Sequence, residues 1–447
     1  MKRIVVIGGG AAGMTFSSQV NKLMGKEIEH YVIERSPYVA WAGCPTPYYL
    51  SGRLPESALI HGSVEDFKKR GINILTNTEA TDIDVKSKIV KIKKENITTE
   101  LTYDILVLAT GAKPILGPFA EFLKYDGVFK LTHVVDAYKI KAYLDEFKPK
   151  KAGIIGAGFI GMEIAENFKE LGIEVDVFEK QDKIFPFLTE SVRSDLQKLL
   201  ESNGINIHLS TEIKDIKIEN NRIKSVVDDK DNVYDIDILI IAMGVSANSD
   251  LAKKIGVEIG YKDGIIVDHK FRTNIDSIYA IGDAILVRHL LTKKLIHAPF
   301  GDVADKQGLI LSKIIKGEDI SYRGVIGTAG TAFFGTQVVT TGLNLDGAKR
   351  EGYENIERVV VKGFTRNSKF EGTTPIKFEV IYDRDSDTII GVSAIGKEAV
   401  AQFVDQFAIL IINRIPVSEF IHLDFAYAPT ISTVWTPILA VYRKIKK

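Results

Sequence analysis

Residues 4–7, Ile-Val-Val-Ile, form a short run with no polar position. That is the pattern of a strand covered on both faces in a parallel sheet. The run ends at Gly8-Gly9-Gly10-Ala11-Ala12-Gly13, and a helical stretch follows over residues 14–24. Tyr31-Val32-Ile33 is the next strand and ends in Glu34. Strand, glycine turn, helix, strand and terminal acid in this order predict a dinucleotide-binding βαβ unit. Gly8 and Gly10 supply the tight turn and room for a pyrophosphate, and Gly13 lets the helix pack close on the strand. The pyrophosphate sits on the helix N-terminus. Glu34 accepts from ribose hydroxyls.

The plan recurs. Residues 152–155 are an apolar strand, Gly156-Ala157-Gly158-Phe159-Ile160-Gly161 repeats the turn, a helix runs over 162–171, and Val175-Asp176-Val177-Phe178 leads to Glu179. Two fingerprints mean two dinucleotides, or one site and one relic. Gly71-Ile72-Asn73-Ile74 and Gly204-Ile205-Asn206-Ile207 each open a run of short alternating strands. These runs close on Ile105-Leu106-Val107-Leu108-Ala109-Thr110-Gly111 and on Ile238-Leu239-Ile240-Ile241-Ala242-Met243-Gly244. Each half therefore reads as a Rossmann-like unit with an inserted antiparallel meander, and Asn220-Asn221 reads as a hairpin turn in the second.

Tyr279-Ala280-Ile281-Gly282-Asp283 ends a further strand, either as a plain Gly-Asp turn or as a backbone approach to a ligand whose hydroxyls Asp283 accepts. After His297-Ala298-Pro299-Phe300-Gly301, a helix over 303–315 aims its first N–H groups at an anionic ring. From residue 326 the pattern becomes antiparallel: strands at 378–382 and 388–392 joined by a charged turn, then an apolar helix over 399–412. The tail over 425–437 is aromatic and punctuated by proline, and the basic end is solvated.

Composition narrows the class. The 447 residues suggest about three domains at roughly 150 each. With 58 basic and 58 acidic residues the net charge is zero, which leaves no electrostatic case for nucleic acid or an anionic membrane. The apolar run 407–412 is too short to cross a bilayer. The first residues lack the apolar run and cleavage site of a signal peptide, so a cytoplasmic protein is expected.

The chain has one cysteine, Cys44, in Trp41-Ala42-Gly43-Cys44-Pro45-Thr46-Pro47-Tyr48-Tyr49. One thiol makes no internal disulfide and no metal site, so no metal is expected. A lone cysteine is either a small buried hydrophobe or a working thiol. The Ala-Gly before it and the prolines after it predict a loop entering a helix, whose N-terminus stabilises thiolate.

Taken in order, these features resemble the FAD-dependent pyridine nucleotide–disulfide oxidoreductases over essentially the whole chain. The single-cysteine branch of that family holds coenzyme A disulfide reductases, NADH oxidases and peroxidases, and sulfur or polysulfide reductases. Cys44-Pro45-Thr46-Pro47-Tyr48-Tyr49 resembles its Cys-Gly-x-Pro-Tyr motif, residues 424–437 its Tyr-Ala-Pro…Val-Trp-Asp-Pro tail, and Lys306-Gln307-Gly308 its Asn-Lys-Gln-Gly helix. The resemblance implies an α/β fold of glutathione reductase-like architecture: two Rossmann-like dinucleotide-binding domains and a C-terminal α+β dimerisation domain. The expected bounds are 1–113 with 247–322 for FAD, 114–246 for NAD(H), and 323–447 for dimerisation.

The resemblance also implies roles. Gly8, Gly10, Ala11, Ala12, Gly13, Glu34, Arg35, Ala80, Ala109, Thr110, Gly111, Gly282, Asp283, Pro299, Gly301 and Ala304 would hold FAD. Gly156, Gly158, Phe159, Ile160, Gly161, Glu163, Glu179, Lys180 and Gly244 would hold the nicotinamide cofactor. Cys44 would be the redox thiol, and Tyr427 from the other subunit of a homodimer would complete the active site. Gln19, Lys22 and Tyr48 would meet a sulfur substrate such as coenzyme A. A carboxylate at Glu179 favours NADH over NADPH, while Lys180 and Lys183 leave NADPH use open.

Three departures matter. Ala11 stands where peroxidases and water-forming oxidases have histidine. Lys369-Phe370-Glu371-Gly372 replaces the Tyr-Tyr-Pro-Gly of coenzyme A disulfide reductases, which favours a smaller or inorganic sulfur acceptor. Thr436 replaces the tail acid, and Pro45 has no N–H to offer the sulfur, which leaves Thr46 as a candidate donor. The leading expectation is a reductase that sends electrons from NADH through FAD and Cys44 to a disulfide, persulfide or polysulfide. The alternatives are an NADH oxidase giving hydrogen peroxide, an electron-transfer reductase for a small redox protein, and a redox-sensing binding protein.

Overall fold

The computed structural model describes residues 1–446. The chain forms two compact units, each built from separated segments. The first comprises Met1–Pro149, Ile240–Arg288 and Leu295–Gly324. Its centre is a parallel sheet in the order Ile278–Ala280, Ile105–Leu108, Lys2–Ile7, Ile28–Ile33, Asn73–Leu75. Ile4, Val5 and Val6 are wholly buried, as an unbroken apolar run in the middle of such a sheet requires. The helix Ala11–Met24 packs on Gly301–Lys316, and the approach is close: a Cβ on Gly308 would lie 2.7 Å from the Ala12 carbonyl oxygen. The inserted meander is Glu79–Asp84, Ile89–Lys94, Ile97–Thr102.

The second unit comprises Lys150–Leu239, His289–Lys294 and the chain from Val325 onward. Lys151–Ile155, Glu174–Glu179 and Ile205–Leu209 pair in parallel. The meander Ile213–Glu219, Arg222–Asp228, Val233–Asp235 turns at Asn220 and Asn221, both at positive φ (50° and 65°), as a type I′ hairpin demands. The C-terminal part is an antiparallel sheet in the order Ala329–Phe333, Thr336–Gly342, Thr388–Gly396, Pro375–Asp383, Ile356–Phe364. Every residue of Thr388–Gly396 is buried. The helix Val400–Ile412 packs on it with Val404 and Phe407 in the core and leaves Ile409 and Ile412 exposed.

Three of the longer helices carry no mark in the sequence pattern: Val134–Phe147, Glu190–Ser202 and Pro437–Ile445. Among the described residues no helix is long and apolar enough to cross a membrane.

Candidate active site: two glycine cradles and an exposed thiol

In the first unit Gly8 sits at φ 112°, and a Cβ there would lie 2.0 Å from the Ala109 carbonyl oxygen. A Cβ on Gly13 would lie 2.0 Å from the Gly8 carbonyl oxygen, while one on Gly10 would meet nothing within 4 Å. Two of the glycines are thus demanded by packing and the third leaves open space at the start of the helix. Glu34 is buried. Its carboxylate accepts from the Gly9 N–H at 2.8 Å and the Ser36 N–H at 2.7 Å. A carboxylate has about four acceptor sites, so capacity remains for ribose hydroxyls. Arg35 is exposed, and Ala80 is half-buried in the meander.

The far wall of the same unit is the Gly282-Asp283 turn, held from two sides. Gln307, fully buried, accepts from the Gly282 N–H at 2.6 Å, and the His297 Nε2–H donates to the Asp283 carbonyl at 2.8 Å. Burial lowers the His297 pKa, consistent with a neutral ring. The Asp283 carboxylate itself meets no hydrogen-bond donor among the described residues, and burial pushes its pKa up to about 6. A half-buried carboxyl without a protein donor, facing a glycine cradle, fits a ligand that brings hydroxyls, as the ribityl and ribose groups of FAD do. Gly301 opens the helix Gly301–Lys316 with open space at its Cβ; Ala304 is buried and Pro299 half-buried. Thr110 donates its hydroxyl to the Asn248 carbonyl at 2.6 Å. Gly111 takes φ 70° beside it, and Gly244, at φ 94°, accepts from the Ile115 N–H.

The second unit repeats the cradle. Gly156 has φ 105°, a Cβ on Gly161 would lie 2.1 Å from the Gly156 carbonyl oxygen, and Gly158 is open. Glu179 accepts from the Ala157 N–H at 2.9 Å and the Gln181 N–H at 2.8 Å. Phe159 opens the helix Phe159–Glu170 and stacks on Phe187; Ile160 beside it is half-buried. Glu163, one turn along, accepts from the Thr331 hydroxyl at 2.7 Å. Lys180 pairs with Glu212 at 2.8 Å and Lys183 with Asp346 at 3.5 Å, so both cations that could favour a 2′-phosphate face acids.

Cys44 is exposed. The helix after it, Thr46–Leu50, is only one turn long, so the dipole expected to aid the thiolate is small. The expectation that Thr46 supplies the sulfur's hydrogen bond is also corrected: its hydroxyl donates to the Gly43 carbonyl at 2.6 Å, and its N–H donates to the same oxygen. With Pro45 removing a donor, a short loop closes on itself instead. Tyr48 lies under the Arg53 guanidinium, 4.9 Å from ring centre, and Tyr49 packs edge-on against Tyr138. Gln19 is half-buried and Lys22 exposed, three residues apart on one face of Ala11–Met24. In the second unit, Tyr427 is 53% exposed in an irregular stretch with Ile431, Val434 and Trp435, all exposed.

Gln307, His297, Glu212 and Thr331 were not assigned roles from the sequence. Gln307 carried a signal, since it lies in the Lys306-Gln307-Gly308 motif; the other three act through partners 14 to 168 residues away.

Comparison with known proteins agrees with this geometry. Residues 2–301 match the family described as pyridine nucleotide-disulphide oxidoreductase, and residues 328–437 match its dimerisation domain. The NADH oxidase of Methanocaldococcus jannaschii is 35% identical over 456 residues, covering 100% of this chain and 99% of that one. The NAD(P)H coenzyme A polysulfide/persulfide reductase of Pyrococcus horikoshii is 31% identical over 100% and 98% of the two chains. The solved NAD-dependent persulfide reductase from A. fulgidus superposes with a TM-score of 0.95 at 34% identity, over 99% of this chain and 83% of that one. By sequence, by fold and by its paired glycine cradles, the chain belongs to the pyridine nucleotide-disulphide oxidoreductases.

Proposed function

We propose that this protein is an FAD-dependent NAD(P)H oxidoreductase that reduces a disulfide, persulfide or polysulfide through Cys44. The observation that carries the reading is the exposure of the chain's sole thiol in a protein of this family. FAD would lie on the first cradle, with Gly8, Gly10, Gly13, Glu34, Thr110 and Asp283 holding it, and would supply two-electron transfer from NAD(P)H to sulfur. The nicotinamide cofactor would lie on the second, against Gly156, Gly158, Gly161, Glu163 and Glu179. Lys180 and Lys183 face Glu212 and Asp346, which supports NADH as the preferred donor.

The chain's own residues then do the sulfur chemistry. The Cys44 thiolate attacks one sulfur of an acceptor R–S–S–R′. A Cys44–S–S–R bond forms as the acceptor's bond breaks, and R′S⁻ leaves. Two electrons cleave the mixed disulfide and return Cys44 thiolate and RS⁻. The Tyr427 phenol, contributed across a homodimer, protonates a leaving thiolate. The exposed Tyr427, Ile431, Val434 and Trp435, within the matched dimerisation domain, support that assembly. Gln19, Lys22 and Tyr48 would contact the acceptor or coenzyme A. The Lys369-Phe370-Glu371-Gly372 segment favours a smaller or inorganic sulfur acceptor over coenzyme A disulfide. The proposed domains are 1–113 with 247–322, 114–246, and 323–447, in a cytoplasmic enzyme.

The test is anaerobic NADH oxidation with coenzyme A disulfide and with polysulfide, using wild type and Cys44→Ser. Turnover with either acceptor that vanishes in the variant supports the reading. The likeness to a relative named NADH oxidase favours a second reading, in which oxygen takes the electrons and gives hydrogen peroxide. In that case NADH consumption appears only in air and survives Cys44→Ser.

A further inference from the structure

The first hairpin of the C-terminal sheet reaches the helix that opens on the second cradle. Thr331, on strand Ala329–Phe333, donates its hydroxyl to Glu163 Oε1 at 2.7 Å. Phe334, at the turn that follows, donates its N–H to Glu166 Oε1 at 2.7 Å. Phe334 takes φ 48° and Gly335 φ 72°, so the turn is a tight left-handed corner that aims this N–H at the helix. Glu163 and Glu166 are three residues apart and share one face of Phe159–Glu170. One hairpin thus supplies two donors to two carboxylates just beyond Gly158.

We propose that Thr331 is a positioning residue for the redox reaction, acting through Glu163 by fixing the orientation of its carboxylate. This rests on the reading above that Glu163 lies against the nicotinamide cofactor, and it takes the ring as the part that Glu163 faces. A nicotinamide ring acquires positive charge when it gives up hydride, and a nearby carboxylate stabilises that charge. The same carboxylate favours the oxidised, cationic cofactor over the reduced one.

The electrostatics make the role measurable. Burial is the largest influence on Glu163 and pushes its pKa up to about 7; the Thr331 hydrogen bond opposes that shift, and the Glu166 carboxylate adds to it. Other charged groups on the neighbouring strands are engaged elsewhere: Asp176 with His208 at 2.7 Å, and Glu179 with the Ala157 and Gln181 N–H groups. Removing the Thr331 hydroxyl therefore moves the ionisation of Glu163 to higher pH, because a hydrogen bond to the charged form is lost.

The experiment is the affinity of the FAD-loaded enzyme for NAD⁺, by calorimetric titration from pH 5.5 to 8.5, in wild type, Thr331→Val, Thr331→Ser and Glu163→Gln. In wild type the affinity should rise with pH through a midpoint near 7. Thr331→Val keeps the side-chain shape and should shift that midpoint about one pH unit upward. Thr331→Ser keeps the hydroxyl and should leave it in place. A Thr331→Val profile that superposes on wild type, while Glu163→Gln flattens it, overturns the role of Thr331 alone. A Glu163→Gln profile identical to wild type overturns the placement of Glu163 beside the ring as well.

Discussion

Glu34 and Glu179 make the same pair of hydrogen bonds, one to a backbone N–H in the glycine turn and one to the N–H two residues on. The match extends to the turn glycines, which a Cβ would drive to within 2.0 to 2.1 Å of a carbonyl oxygen at Gly13 and Gly161. Yet Glu34 is buried and Glu179 is half-exposed; Gly10 is half-buried and Gly158 is exposed. Around the first cradle the unit has brought in a far wall, Gly282-Asp283 with Gln307 and His297, and the segment that carries Cys44. Beside the second, the other unit has placed lysines paired with acids and a hairpin that grips two glutamates. Both turns would offer a cofactor's pyrophosphate the same geometry. The deeper cradle suits a cofactor that stays and the shallower one a cofactor that exchanges, as a flavin and a nicotinamide would.

The two cradles can be set against each other by experiment. The largest effect belongs to the thiol that only the first cradle has. Cys44→Ser should lower sulfur-acceptor turnover on the order of a thousandfold or more, while NADH still bleaches the flavin in a single anaerobic mixing. Gly161→Ala should raise the KM for NADH about 10- to 100-fold with full flavin content, because a Cβ strains the turn by about 1–3 kcal/mol. Gly13→Ala should instead yield protein poor in flavin, read from absorbance at purification. If both variants lost the same cofactor, the assignment of cradles would be wrong.

Asp283 gives a smaller, pH-dependent difference. Its pKa is raised by burial to about 6, and hydroxyls donating to the carboxylate favour the ionised form. FAD affinity of the apoprotein should therefore climb up to about tenfold per pH unit below 6 and level off above it, a slope that Asp283→Asn removes. In the apoprotein this raised folded-state pKa contributes stability at low pH that is lost as pH rises toward 6. Smallest is the Lys180–Glu212 pair, which is solvent-exposed and worth at most about 1 kcal/mol. Glu212→Gln should improve NADPH use by no more than about fivefold, and a second change, Lys180→Ala, should cancel the gain.

Much of this was legible along the chain because local pattern and tertiary role coincide. Residues 4–7 and 152–155 read as buried strands and are, and Asn220-Asn221 turns as its composition demands. The helix Val134–Phe147 was hidden because its cap is His133, whose ring nitrogen accepts from the Val135 N–H in place of the usual hydroxyl or carboxylate. Glu190–Ser202 was hidden because only Val192, Leu196 and Leu200 are buried, a stripe one residue wide on an otherwise polar helix. The site's supporting contacts, Gln307 to Gly282, Thr331 to Glu163 and Glu212 to Lys180, join residues whose partners no local spacing marks. The thiol's local environment was misjudged for another reason: a single turn follows Cys44, and the donors of Thr46 are turned back on Gly43.

The close seating of Ala11–Met24 on Gly301–Lys316 also has a cost in time. The Thr15 hydroxyl donates to the Asp305 carboxylate across 290 residues of chain. On a ribosome adding about 5–20 residues per second, the first helix waits roughly 15–60 s for its cover. Until then Ala12 and Phe16 lack the helix against which they are buried. The nascent chain must keep its opening βαβ segment from misassembly for the length of that interval, long after the residues that read as the cofactor fingerprint have left the exit tunnel.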